Sequence, residues 1–202
     1  MPKTIDWTRC TCYNAAMNSF ESLKYFSADG LIPVSDEAVR QGPRKLVFQM
    51  TSSTRLYAAK IMRDEDMKTH ELLNKPLLVK EEFAAYKTFI KSNIGVYIPA
   101  PLRFSNDGLV VDWRNGALLS ILLMKFYTIK RSIVQEFQDA LRSLATSGGA
   151  LPHPHMLSLT NIGFNESLGF WFASAKVGEY KNNEYHHAVQ NLSRQMKPMM
   201  GV

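Results

Sequence analysis

The chain has 202 residues, with 24 Lys plus Arg against 18 Asp plus Glu, a formal net charge of +6, 46% apolar residues and 21% charged residues. That profile suits a single globular domain whose core needs no disulfides, and it excludes a disordered chain. The longest uncharged apolar stretch, residues 116–124, is about half the roughly 20 residues a membrane helix needs, so no membrane span is expected.

Residues 1–7 carry no apolar signal-peptide core. The only cysteines, Cys10 and Cys12, stand one residue apart, which suits neither a disulfide framework nor a four-ligand zinc site. Two free thiols fit a reducing compartment, so the expected location is the cytoplasm. The basic clusters 40–45 and 125–131 are short and flank apolar runs, so nucleic acid is not the expected partner.

Taken in order, residues 13–26 space Ala15, Ala16, Met17, Phe20, Leu23 and Phe26 as a helix. Residues 31–34 read as a short edge strand, where Pro33 is tolerated. Residues 45–50 and 55–62 form a hairpin across the polar turn 51–54. Residues 76–91 are an amphipathic helix opened by Pro76. Residues 101–104 are a strand closed by the turn 105–108, and 117–124, apolar throughout, read as a central strand. A helix over 131–145 stops at Ser147-Gly148-Gly149. A loop with His153 and His155, a hairpin through 161–164 and 170–172, and a polar helix near 183–196 complete the chain. The class is α+β, with an antiparallel sheet early and helices mostly later.

The order and the residues at its joints resemble the protein kinase-like superfamily. Leu56-Tyr57-Ala58-Ala59-Lys60-Ile61 is similar to the strand whose Val-Ala-Ile-Lys pattern gives a Lys to the α- and β-phosphates. Glu81 and Glu82 lie on the following helix, where the family places the Glu that pairs with that Lys. Glu82 is preferred, because Tyr86 and Phe89 put its face on the core. Residues 124–127, opening with Met124, stand at the hinge beside the adenine by the same resemblance. The run from His155 to Asn161 resembles the catalytic loop, which an Asn that binds metal ends.

The departures are as informative as the matches. Gly42 is the only glycine between Gly30 and Lys60, where the family has a glycine-rich loop over the phosphates. Arg40 and Arg44 beside it either compensate by charge or are surface residues. The family's catalytic Asp stands five residues before the Asn, and here that residue is Met156. No Asp or Glu occurs between Gly148 and Asn165, which leaves His155 or His153 as the candidate base. By the same resemblance Ser174 stands where the family has the metal-binding Asp after the small hairpin, and it is a poor Mg²⁺ ligand without a carboxylate beside it.

The resemblance implies a single kinase-like domain. Its antiparallel five-stranded small lobe, with one crossing helix, spans 30–127, and a truncated helical large lobe spans 128–202. The expected function is that of a pseudokinase that binds a partner protein. Lys60, Glu82, Gly42 and Met124 would serve nucleotide binding, with ATP as ligand. Asn161 is the weak metal candidate for Mg²⁺, and His155 the catalytic one. Two alternatives stand beside it. One is an active minimal phosphotransferase of a host-directed bacterial effector, viral or phage kind, acting in host cytoplasm. The other is a structural or virion-assembly protein, which a fold lacking a sheet crossed by the helix 76–91 would mark. Met196, Met199 and Met200 suggest an adaptable apolar surface at the C-terminus.

Overall fold

The computed structural model describes residues 23–28, 30–35, 37–42, 44–64, 67–181 and 183–201. Cys10, Cys12 and most of the helix expected over 13–26 lie outside them; its last residues, from 23, are helical and continue to 28.

The first half is one antiparallel sheet. β1 (Ile32–Pro33) and β2 (Arg40–Gln41) share one edge of β3 (Lys45–Ser52), which pairs along its whole length with β4 (Arg55–Met62). α1 (Thr69–Leu73) and α2 (Lys75–Phe89) follow, then β5 (Pro101–Phe104) and β6 (Gly108–Asp112). Six strands result, ordered β1-β3-β4-β6-β5 with β2 beside β1 on β3, so the sheet is five positions wide.

Period-two alternation sorts the side chains of β3 and β4 onto two faces. Phe48, Met50, Tyr57, Ala59 and Ile61 point to the back, where Leu23, Phe26 and Leu31 cover them. Val47, Ala58 and Met62 point to the front, into the larger core that includes α2. In α2 the buried residues Val79, Glu82, Phe83, Tyr86 and Phe89 recur at helical spacing and turn one stripe to that core. Pro76 opens the helix where no backbone N–H is needed.

The second half begins with β7 (Ala117–Leu118) and α3 (Leu119–Met124), followed by α4 (Arg131–Thr146). β8 (Ile162–Asn165) and β9 (Gly169–Phe172) join β7 in a three-stranded antiparallel sheet, and α5 (Glu184–Met196) packs on α4. Phe137 of α4 stacks on Phe170 of β9 at 4.4 Å, and the Tyr185 hydroxyl donates to the Leu141 carbonyl at 2.8 Å.

Two expectations are corrected. Residues 117–124 are not a central strand: two residues pair with β8 and the rest coil into α3. A central strand would bury both faces, whereas only Leu119 of α3 is buried and Met124 is 72% exposed. The place beside β4 belongs instead to β6, whose Gly108 had read as the end of a turn. The C-terminal methionines form no adaptable surface, because Met196 and Met199 are buried and Met200 bridges to Ile129. No helix among the described residues is long and apolar enough to cross a membrane.

Candidate functional site

The front face of the sheet carries a lateral row of aligned residues. Arg40 is opposite Val47, Val47 opposite Lys60, and Lys60 opposite Leu109. Residues opposite one another share a face, and so do residues two apart on a strand. Arg40, Lys45 and Lys60 therefore all face α2 and the cleft beneath it.

Lys60 is buried and its ammonium makes two hydrogen bonds. It donates to the Tyr86 hydroxyl and, at 2.5 Å, to the Ala173 carbonyl, and it lies 4.7 Å from the centre of the Tyr86 ring. Glu82 Oε1 is 3.9 Å away. Burial pushes the Lys60 amine down to about 7; the Glu82 charge works against this, and the Lys45 and Arg40 charges add to it. The tighter partner of Glu82 is Lys45, whose ammonium contacts Oε2. Burial pushes the Glu82 carboxyl up, but the two lysines outweigh it and hold it below the usual range. Helical position separates the two glutamates: Glu82 is buried and Glu81 exposed.

Asn161 closes on the other side. Its carbonyl accepts from the Ala173 amide at 2.8 Å, and its side-chain Oδ1 accepts from the Ser174 hydroxyl at 2.9 Å. Ala173 thus links Lys60, through its carbonyl, to Asn161, through its amide, and the structure brings residues 60, 82 and 161 together. The Asn161 side-chain amide nitrogen is buried with no acceptor among the described residues. Met156 is buried, and its sulfur accepts the Lys176 amide at 3.1 Å. His155 is exposed on the adjoining turn. Burial and the Lys45 charge hold its imidazole below the ordinary value against the pull of Glu82.

Two candidates drop out. The Gly42 amide donates to the Lys45 carbonyl at 2.8 Å, so it closes a turn and is not offered to a ligand. Met124 ends α3 in solvent. The segment that leaves the strand beside Lys60 is 113–116.

At this segment the structure shows a slot that the sequence did not. The Arg40 guanidinium lies 5.3 Å from the Trp113 ring and 4.7 Å from the Trp171 ring. It donates to the Gly116 carbonyl at 3.1 Å and reaches the Arg114 carbonyl at 3.5 Å. Trp171 is seated over Gly163, where an added Cβ would fall 2.1 Å from the indole. The register of β2 on β3 is the signal that would have placed Arg40 beside Lys60; nothing local marks the two tryptophans.

No protein-family model matches the chain, and no curated protein matches it in sequence. Its fold does match solved structures. The Rio2 kinase from Chaetomium thermophilum superposes with a TM-score of 0.61 at 13% identity, over 90% of this chain and 62% of that one. Rv3197 from Mycobacterium tuberculosis, solved in complex with erythromycin, gives 0.56 at 11% identity, over 83% of this chain and 55% of that one. The chain therefore spans less than two thirds of either protein. The fold is protein kinase-like: an antiparallel sheet packed with α2, followed by a half in which helices surround a three-stranded sheet.

Proposed function

We propose that this protein is a kinase-like pseudokinase that holds a phosphate-bearing nucleotide in the Lys60–Glu82 cleft without a divalent metal, and that acts by binding a partner protein. The carrying observation is the Asn161–Ser174 pair. Where the resemblance puts an Asn and an Asp around a metal, these two uncharged side chains hydrogen-bond to each other at 2.9 Å. Mg²⁺ sites of this kind hold the ion through one or two carboxylates beside water and phosphate oxygens, and this pair supplies none. No group of three or more His, Cys, Asp or Glu side chains occurs among the described residues.

The residues fit an anion instead. Lys60 feels one carboxylate, Glu82, against two neighbouring cations, Lys45 and Arg40. The buried Asn161 amide nitrogen lacks an acceptor that a phosphate oxygen would supply. Losing both a metal and a catalytic carboxylate removes most of what phosphoryl transfer depends on. A cleft that holds nucleotide without turning it over acts through its surface, hence the partner protein. In this reading the joint between the lobes lies at 113–116 rather than at 127.

One observation favours a second reading, an active phosphotransferase with His155 as base. Burial and the Lys45 charge lower the pKa of its imidazole against the pull of Glu82, which favours the form that accepts a proton. Thermal shift with ATP, with and without Mg²⁺, on wild type and Lys60→Ala decides between them when run beside a γ-phosphate transfer assay. The pseudokinase predicts metal-independent stabilisation, lost in the variant, and no transfer. Transfer abolished by His155→Ala establishes the second reading. A flat thermal response in both proteins removes nucleotide from the account.

A further inference from the structure

The slot built by Trp113, Trp171 and the carbonyls of residues 114 and 116 has the chemistry of a site for a flat, N–H-bearing group. Its walls are aromatic faces and its acceptors are fixed by backbone. A guanidinium and the amino edge of an adenine meet the same demand: both are planar, both stack, and both donate to carbonyls. The slot lies on the segment that leaves β6, beside the cationic cleft, where a base would sit if phosphates lay against Lys60.

We propose that Arg40 is a tethered occupant of the base slot, so that the protein recognises the phosphate end of its ligand and excludes the base. The proposal rests on the nucleotide reading above and narrows it: the preferred ligand is a polyphosphate chain with little base discrimination. Two features support occupancy over a passing contact. Arg40 is anchored by β-pairing to Val47, which aligns it with Lys60 and fixes its direction. The guanidinium also lies near both tryptophan rings while donating to the backbone behind them. The indole nitrogen of Trp171 is buried with no acceptor among the described residues.

Calorimetric titration with three probes tests this: inorganic tripolyphosphate, ATP and adenosine, on wild type, Arg40→Ala and Arg40→Lys. Adenosine has no phosphate and reports the slot alone. Wild type is expected to bind tripolyphosphate and ATP alike and adenosine not measurably. Both variants should gain adenosine affinity by about tenfold or more, since a planar cation is cleared from two aromatic faces. Guanidinium ion at millimolar concentration should then compete with adenosine in Arg40→Ala. Arg40→Lys keeps the charge without the flat fork and serves if the alanine variant folds poorly. If wild type binds ATP while neither variant gains adenosine, the plug is overturned and the nucleotide reading stands. If wild type binds neither ATP nor tripolyphosphate, the nucleotide reading fails and takes this proposal with it.

Discussion

Glu82 closes on Lys45, and Lys60 stands 3.9 Å off on the carboxylate's other oxygen. The helix carboxylate thus serves two cations of the sheet, one partly exposed and one buried, and among the described residues it is the charge that favours the protonated form of the buried one. Removing either end of this arrangement has unequal consequences.

Glu82→Ala removes the counter-charge of the buried Lys60 ammonium and leaves it beside Lys45. Breaking a buried pair this way costs about 3–5 kcal/mol. Lys45→Met leaves Glu82 still within reach of Lys60 and removes one charge-assisted hydrogen bond, a loss of about 1.5–3 kcal/mol. Urea unfolding of the two variants is expected to show the larger loss for Glu82→Ala. Equal losses would contradict the account of Glu82 as the shared counter-charge.

Lys60 also sets a pH dependence. Its amine is pushed by burial to about 7 in the fold, against 10.5 for an ordinary lysine. Between those values the unfolded chain carries the proton and the folded chain lacks it. Stability therefore rises with pH through this window, by at most about 1.4 kcal/mol per unit. Below about 7 both states are protonated and Lys60 adds no slope. The stability of wild type relative to Lys60→Met, followed by urea unfolding from pH 6 upward, is expected to climb from about 7. A difference that stays level with pH would contradict it.

The sequence was legible where periodicity is strong and local. The β3–β4 hairpin alternates around a polar turn, and α2 and α4 carry unbroken helical stripes, so Lys60 and Glu82 could be set on facing elements. Residues 117–124 were misread because an apolar run of that length carries no periodicity to separate strand from helix. β6 was missed because its apolar core, Leu109-Val110-Val111, is short and follows a turn. That one displacement put the expected hinge at Met124 and drew attention away from Trp113. The slot itself was illegible, since Arg40, Trp113 and Trp171 come from distant parts of the chain and meet only through sheet register.

Gly163 has a specific duty in that slot. An added Cβ would fall 2.1 Å from the Trp171 indole, so Gly163→Ala must displace the ring. Overpacking of this kind costs about 1–3 kcal/mol. The variant is expected to melt lower and to shift its tryptophan emission to the red as the indole meets water. Unchanged melting and emission would show that Trp171 does not sit on Gly163.

The most direct test of the cleft's proposed chemistry is equilibrium binding of ATP in excess EDTA, compared with binding in excess Mg²⁺, for wild type and Lys60→Met. The cationic cleft predicts dissociation constants in wild type that agree within about twofold in the two buffers, a difference near 0.4 kcal/mol. It also predicts at least a tenfold weakening in Lys60→Met, equivalent to about 1.4 kcal/mol. Binding that appears only with Mg²⁺, or that ignores the loss of Lys60, would contradict it.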